Sequence, residues 1–181
     1  INEGDKNISI GHYSMDANTS GYENIAIGYN TLGTQTVDSR CTAIGYEALA
    51  TQAVGEGANN DCIGWHAGYA ITNGTCNTFL GSEAGDAIQG FSHNVAIGFR
   101  ALSANLSSSD GANTAVGAEA GKQLTGSYNT CMGRRAIDGQ VAGDYNSAFG
   151  SDALGGAVTG SSNTCIGHKA GLVIDSGAYN T

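Results

Sequence analysis

The stretch Asn163-Thr164-Cys165-Ile166-Gly167-His168-Lys169-Ala170 shows the unit that this chain repeats ten times. The central glycines of the ten repeats are Gly11, Gly28, Gly45, Gly64, Gly81, Gly98, Gly117, Gly133, Gly150 and Gly167. Their spacing is 16, 17 or 19 residues throughout. So regular a period is typical of stacked repeats, in which each coil buries its apolar face only against its neighbours. The sequence therefore predicts an all-β parallel solenoid of about ten coils.

Composition excludes several other classes of protein. Glycine supplies 29 of 181 residues without a Gly-X-Y triplet, so the chain is not collagen-like. The net charge of −9 is unfavourable for binding nucleic acid or anionic membranes. No apolar run reaches the roughly 20 residues of a membrane-spanning helix, so we expect no membrane insertion. Residues 1–181 are expected to form one repeat domain without terminal caps, as a segment of a longer fibre.

Each repeat contains a short strand that ends at the central glycine. The residue before the glycine is apolar in all ten repeats, and the residue two before it is apolar or small. Because alternate residues of a strand point to opposite faces, this strand is apolar on both. One face fills the coil, and the other needs a cover, which predicts an oligomer of identical chains. We expect Ile97 and Ile166 to be fully buried, and Arg100 and Glu119 to be exposed.

Two further columns indicate that the repeats stack in register. An Asn stands four residues before the central glycine in nine of ten repeats, with Cys41 as the exception. Stacked amides bond to one another or to turn backbone, so we expect a ladder. The ladder residues are Asn24, Asn77, Asn94, Asn113, Asn129, Asn146 and Asn163. Two residues after the glycine, the sign of the charge alternates from Glu83 to Lys169, which favours parallel pairing of neighbouring coils.

The position four residues after the central glycine divides the repeats into two kinds. Six repeats carry a large apolar residue there, whereas four carry Gly, and in those four Ile or Leu follows three residues later. We interpret the exchange as one aliphatic side chain per coil that fills the same interior volume, such as Leu102 or Ile88. Gly85 is then expected to have a positive φ, and Leu102 an ordinary β or αR conformation.

These motifs resemble those of known fibrous proteins. The stretches Asn24-Ile25-Ala26-Ile27-Gly28 and Asn113-Thr114-Ala115-Val116-Gly117 resemble the head repeats of trimeric autotransporter adhesins. They are more similar still to the glycine-rich repeats of phage tail-fibre and tail-fibre-like proteins. The resemblance covers essentially all of 1–181. It implies a homotrimer working as a structural or adhesive fibre segment, on a virion or a cell surface, that holds or presents a region binding the host.

One row of residues is a candidate for recognition. The residue after the central glycine is aromatic or imidazole in several repeats, namely His12, Tyr29, Tyr46, Trp65, Phe99 and His168. Aromatic side chains offer rigid, amphipathic area on which sugar rings stack. Tyr29, Tyr46, Trp65 and Phe99 are therefore candidate ligands of a cell-surface glycan. The other interpretation is that the rings stack on each other or fill a groove between chains.

The residues give little support for catalysis, so we expect neither an enzyme nor a cofactor. The five cysteines form no CxxC pair, and the four histidines lie in separate repeats without metal-ligand spacing. A weakly bound cation at an acidic turn remains an alternative. So does an ice- or surface-binding solenoid, because Thr78, Thr114, Thr130 and Thr164 share a column. A tail-spike glycosidase, the third class, would need two carboxylates roughly 5–9.5 Å apart.

Overall fold

The structure is a computed structural model that describes residues 4–34, 36–37, 39–52, 58–103, 111–140, 142–156 and 159–181, and it shows a parallel β-solenoid. Each repeat contributes one three-residue strand, and each strand pairs in parallel with the strand of the next repeat. The strands are β1 (Ile8–Ile10), β2 (Ile25–Ile27), β3 (Thr42–Ile44), β4 (Asp61–Ile63), β5 (Thr78–Leu80), β6 (Val95–Ile97), β7 (Thr114–Val116), β8 (Thr130–Met132), β9 (Ser147–Phe149) and β10 (Thr164–Ile166). The described residues contain no helix.

The strands bury only their middle residues. From β2 to β10 the middle side chain is buried inside the coil, and the first and third side chains point outward. The expectation that the residue before the glycine is fully buried is therefore wrong for the single chain, because Ile97 is 36% exposed and Ile166 is 74% exposed. The reason is the alternation itself, which gives the interior one side chain from a three-residue strand. Arg100 and Glu119 are partly exposed.

The central glycines have a backbone conformation that L-residues avoid. Their φ angles lie between 124° and 144° in all ten repeats. Stacking adds a second constraint, because a Cβ placed on Gly117 would stand 2.6 Å from the carbonyl oxygen of Gly133 in the next coil. Both the angle and the close approach demand glycine.

The position four residues after the central glycine has the same backbone in both kinds of coil. Gly85 has the expected positive φ of 60°, but Leu102 also has φ of 49°, so the ordinary conformation expected for Leu102 is wrong. Hydrogen bonds between coils hold both residues there: Leu102 N–H donates to the oxygen of Ala120, and Gly85 N–H donates to that of Ala101. The cost of the left-handed conformation, about 1–2 kcal/mol for a residue with a Cβ, is therefore imposed by the stack.

What differs between the two kinds of coil is the side chain that fills the interior. Leu102 and Ile88 are both fully buried in the core. A Cβ placed on Gly68 would stand 3.1 Å from Cδ1 of Ile71, so the late aliphatic residue reaches the space beside the glycine. This contact supports the interpretation that the two positions share one volume.

Candidate functional site

The asparagine ladder lies inside the solenoid. Asn94 N–H donates to Oδ1 of Asn77 at 2.9 Å, and Asn113 N–H donates to Oδ1 of Asn94 at 3.0 Å. The amide nitrogen also donates to the turn of the next coil, as Asn77 Nδ2 does to the oxygen of Phe91 at 2.8 Å. All seven expected ladder residues are buried, namely Asn24, Asn77, Asn94, Asn113, Asn129, Asn146 and Asn163. The asparagine side chains therefore satisfy the hydrogen-bonding groups of the turn backbone, and their burial leaves them inaccessible to a ligand.

A buried glutamine, Gln52, connects the two sides of the one repeat in which the ladder asparagine is replaced by Cys41. Cys41 N–H still donates to Oδ1 of Asn24 at 2.9 Å. Gln52 is fully buried, with Oε1 accepting from Asn60 Nδ2 at 3.0 Å and Nε2 lying 3.3 Å from Sγ of Cys41. Sequence reasoning missed this role of Gln52. The available signal was that the only repeat without Asn is followed by one of the two 19-residue intervals.

The outward face of the sheet presents two columns of side chains, one of which is apolar throughout. Its first column contains the first residue of each strand, including Ile8, Ile25, Val95 and the five threonines of β3, β5, β7, β8 and β10. Its second column contains the apolar residue before each central glycine. The exposed members of that second column are Ile10, Ile63, Leu80, Ile97, Met132, Phe149 and Ile166. Single exposed apolar residues are ordinary, but a contiguous face is typical of an interaction surface.

The aromatic row forms a stack along one edge of the solenoid. The rings of Tyr29 and Tyr46 are stacked with centroids 5.0 Å apart, close to the spacing of neighbouring strands. Tyr46 stacks on His66 at 5.9 Å, and His66 stacks on Trp65 at 3.7 Å. His66 Nε2 also lies 2.9 Å from Oε2 of Glu47. The structure thus brings Tyr29, Tyr46 and Trp65 together, with their faces largely turned to other rings.

Phe99 does not belong to this stack. It lies two coils beyond Trp65, and the coil between them carries Ser82 at the same position. Its ring is covered by Arg100, whose Cζ is 4.9 Å from the ring centroid. Arg100 in turn forms an ion pair with Glu83 of the intervening coil. The four candidate glycan residues therefore divide into a stack and a separate ring, with a gap at Ser82.

The charged column confirms the parallel register. Glu83 pairs with Arg100, and Arg135 Nε lies 3.7 Å from Oδ1 of Asp152, as alternation of sign predicts. Other charges pair within a coil, such as Lys122 with Glu119 at 2.7 Å. Partial burial, and then the neighbouring Glu83, raise the pKa of the Asp86 carboxyl, against a smaller opposing effect of Arg100.

The described residues show no other built site. They contain no group of three or more His, Cys, Asp or Glu side chains that could hold a metal ion. They enclose no pocket, so a ligand would have to bind on the open surface. They also include no helix with the length and hydrophobicity needed to cross a membrane. No protein-family model, curated protein or solved structure compared with the chain matches it.

Proposed function

We propose that this chain is a structural and adhesive fibre segment that assembles as a parallel homotrimer and works outside the cell, on a virion or a cell surface. The observation that supports this function most directly is the outward face of the sheet. Ten strands in register present two columns of side chains there, and the second column is apolar at every position. A single chain leaves this face in water.

The size of the face suits assembly with further copies. Nine steps of about 4.8 Å make the sheet roughly 43 Å long, and three residues make it roughly 10 Å wide. The resulting area of roughly 400 Å² is comparable to the largest apolar patch of ordinary monomers, which is often functional. Identical chains are the occupants that match it best, because they carry the same apolar columns at the same spacing along the axis.

The resemblance to tail-fibre and adhesin repeats supports three chains rather than two. In a trimer each outward face would turn to a common axis and the turns would remain outside. The aromatic row would then be available to a cell-surface glycan.

The experiment that tests the assembly is the mass in solution. Light scattering during size-exclusion chromatography should give three times the chain mass of 18.2 kDa. A mass of 18.2 kDa at micromolar concentration would contradict the proposal. A stable dimer would be consistent with the outward face as an interface but would contradict assembly into a trimer.

A second candidate function is binding to ice or to another regular surface. The specific observation is that the threonines of β5, β7, β8 and β10 lie on the same outward face of the sheet as the isoleucines. Val95 of β6 and Ser147 of β9 interrupt these threonines, and Phe149 and Met132 make the neighbouring column uneven. Inhibition of ice recrystallisation by a monomeric chain would favour this candidate over the fibre.

A further inference from the structure

The outward face of the sheet carries a single ionisable side chain. Among the first and third residues of the ten strands, only Asp61, at the start of β4, can be charged, and the others are apolar or carry a hydroxyl group. Asp61 is exposed, and within the described residues its carboxylate has neither a hydrogen bond nor an ion pair. In a single chain the charge is therefore stabilised by water alone.

Assembly through this face would remove the carboxylate from water. In a closed ring of parallel chains related by rotation, equivalent residues lie at the same height, so the Asp61 side chains of all copies would approach one another. The face has no Lys, Arg or His at any strand position, so no counter-charge would meet them at any other register either. Burial and a neighbouring like charge both disfavour the ionised form of a carboxyl group.

The neutral form of Asp61 is suited to this position. Its neighbours along the column are Thr42 of β3 and Thr78 of β5. A protonated carboxyl group has an O–H to donate, and a threonine hydroxyl both donates and accepts, so hydrogen-bonding groups are at hand in a covered face. Ile97, in the other column, has only apolar neighbours, so a carboxyl group placed there would have no such partner.

The other titratable groups near Asp61 do not face its column. Cys62 points into the coil, and its pKa is raised by burial and, to a smaller extent, by Cys41 and Asp61, so the thiol stays neutral. Arg40 and Cys76 lie in turns, each two residues before the threonine of a neighbouring strand. The charge of Asp61 is thus the only one that assembly through the strands would have to neutralise.

We propose that Asp61 makes the assembly of this chain depend on pH, because each copy takes up one proton from solvent on its Asp61 carboxylate as the outward face is covered. The assembled state then holds more protons than the separated chains, so association strengthens as the pH falls. This inference adds regulation to the interface of the proposed function and rests on that function.

The test is the strength of assembly at two pH values. Analytical ultracentrifugation at pH 7.5 and pH 5.0, at constant ionic strength and with EDTA present, gives the protein concentration at which half of the chains are assembled. We expect this concentration to be about tenfold or more lower at pH 5.0. Asp61→Asn should assemble at pH 7.5 about as strongly as the native chain does at pH 5.0. The coil should tolerate this change, because the side chain is exposed.

Asp16→Asn is the matched control. It removes the same charge from an exposed position outside the sheet, and it should keep the pH dependence of the native chain. The four histidines also titrate in this interval. Both variants retain them, so any pH dependence that remains in Asp61→Asn measures the contribution of groups other than Asp61.

Moving the carboxylate tests the column. Asp61→Asn combined with Thr130→Asp places the carboxyl group in β8, between the hydroxyl groups of Thr114 and Ser147, and should restore the pH dependence.

The results distinguish this inference from the assembly itself. A trimer with the same half-assembly concentration at both pH values, an unchanged pH dependence in Asp61→Asn, or none in the combined variant would each overturn the inference and leave the trimer standing. A mass of 18.2 kDa at every pH and concentration would contradict the proposed assembly, and the inference with it.

Discussion

The carbonyl oxygen of Gly133 limits what residue 117 can be. A side chain on Gly117 meets that oxygen at 2.6 Å and must also adopt φ of 136°. The non-glycine residues of the turns have φ near 50–60°, which is the left-handed region that L-residues do visit at a modest cost. The central glycines lie well outside that region. Their presence in all ten repeats is therefore a consequence of backbone geometry.

The first prediction concerns this position. Gly117→Ala should lower the free energy of unfolding by more than the roughly 1–3 kcal/mol of a strained backbone, because the contact with Gly133 adds to the strain. Urea denaturation followed by circular dichroism measures the change. Gly90→Ala is the matched control, since the nearest atom to its Cβ would be Oδ1 of Asn73 at 3.2 Å and its φ is not positive. Equal effects of the two substitutions would remove the geometric explanation.

The second prediction concerns the thiols. Cys41, Cys62, Cys131 and Cys165 are buried, whereas Cys76 is exposed. Burial raises the pKa of Cys131 from an ordinary 9.0 to about 12 and raises that of Cys62 well above 9.0. Because the thiolate is the reactive form, one thiol should react with a disulfide reagent in the native chain at pH 8, and five should react in denaturant. Rapid reaction of two or more native thiols would contradict the buried column.

The same pKa shifts give a dependence of stability on pH. Between about pH 9 and 12 the unfolded chain has lost the proton of Cys131 and the folded chain has kept it. The folded state then binds more protons, so the free energy of unfolding falls as pH rises through this window. Cys131→Ala should show a weaker fall than the native chain.

At the scale of the coil, the exchange between aliphatic positions is governed by volume and not by backbone angle. Gly121 and Leu102 both have positive φ, and a Cβ on Gly121 would stand 2.9 Å from Cδ2 of Leu102 in the neighbouring coil. Leu124 already fills the interior of that coil. A second large side chain would overfill it.

The third prediction follows from this volume. Gly121→Leu should destabilise the chain by about 1–3 kcal/mol. Adding Leu124→Gln should recover part of the loss, because Gln140 stands at the corresponding position of the coil that carries Ile137 four residues after its central glycine, and there it is exposed. Thermal unfolding of the two variants measures the difference.

The coil of Gly85 also has glycine four residues after its central glycine, but its interior contains a larger strand residue. A Cβ on Gly85 meets the ring of Phe79, whereas the same strand position near Gly121 carries the small Ala115. Gly85→Leu with Ile88→Gln should therefore recover little until Phe79→Ala is added. Full recovery in the double variant, or no recovery for Gly121→Leu with Leu124→Gln, would contradict the shared volume.

The coil also shows which features could be predicted from the sequence. The period, the strand, the asparagine ladder and the charge alternation all follow from columns that repeat, and the structure confirms them. The side of the strand that faces inward did not follow, because Ala96 and Ile97 are both apolar and hydrophobicity favours burying the larger. Ala96 and Leu102 are both fully buried in the core, so the interior of this coil takes the small residue of the strand together with the leucine of the turn. The role of Gln52 could not be predicted from a repeated column, because it occurs only beside the one repeat that has Cys41 in place of the ladder asparagine.

At the scale of the whole molecule, the outward isoleucines before the central glycines are the residues that most strongly indicate a partner. From β2 to β10 the buried residue of each strand is Ala or Cys, except for Phe79, whereas the residue turned outward before the central glycine is a large apolar one. That arrangement is unfavourable in water, at about 25 cal/mol for each Å² of apolar surface left exposed. A fibre that covers this face removes the penalty, and an isolated solenoid does not. The aromatic row could likewise be recognised from the sequence, but only the structure shows that Tyr29, Tyr46 and Trp65 belong to one stack and that Phe99 lies apart under Arg100.

The last prediction distinguishes the role of the outward face in assembly from any role it has in the folding of the coil. Ile97→Asp places a charge at the centre of the outward face, where assembly would bury it without a partner, so the mass in solution should fall from that of the proposed trimer to that of one chain. The coil should survive, because Ile97 is 36% exposed and points away from the core around Ala96. The far-UV circular dichroism of the variant should therefore remain that of a β-structure.

Ala118→Asp is the matched control for this prediction. It adds the same charge at an exposed position just after the central glycine of the next coil, outside the sheet face, and it should leave the mass unchanged. A trimer that persists in Ile97→Asp would show that the chains meet through another surface. Loss of β-structure in Ile97→Asp but not in Ala118→Asp would show that the outward isoleucine supports the coil itself, because the exposed column would then contribute to folding before any partner arrives.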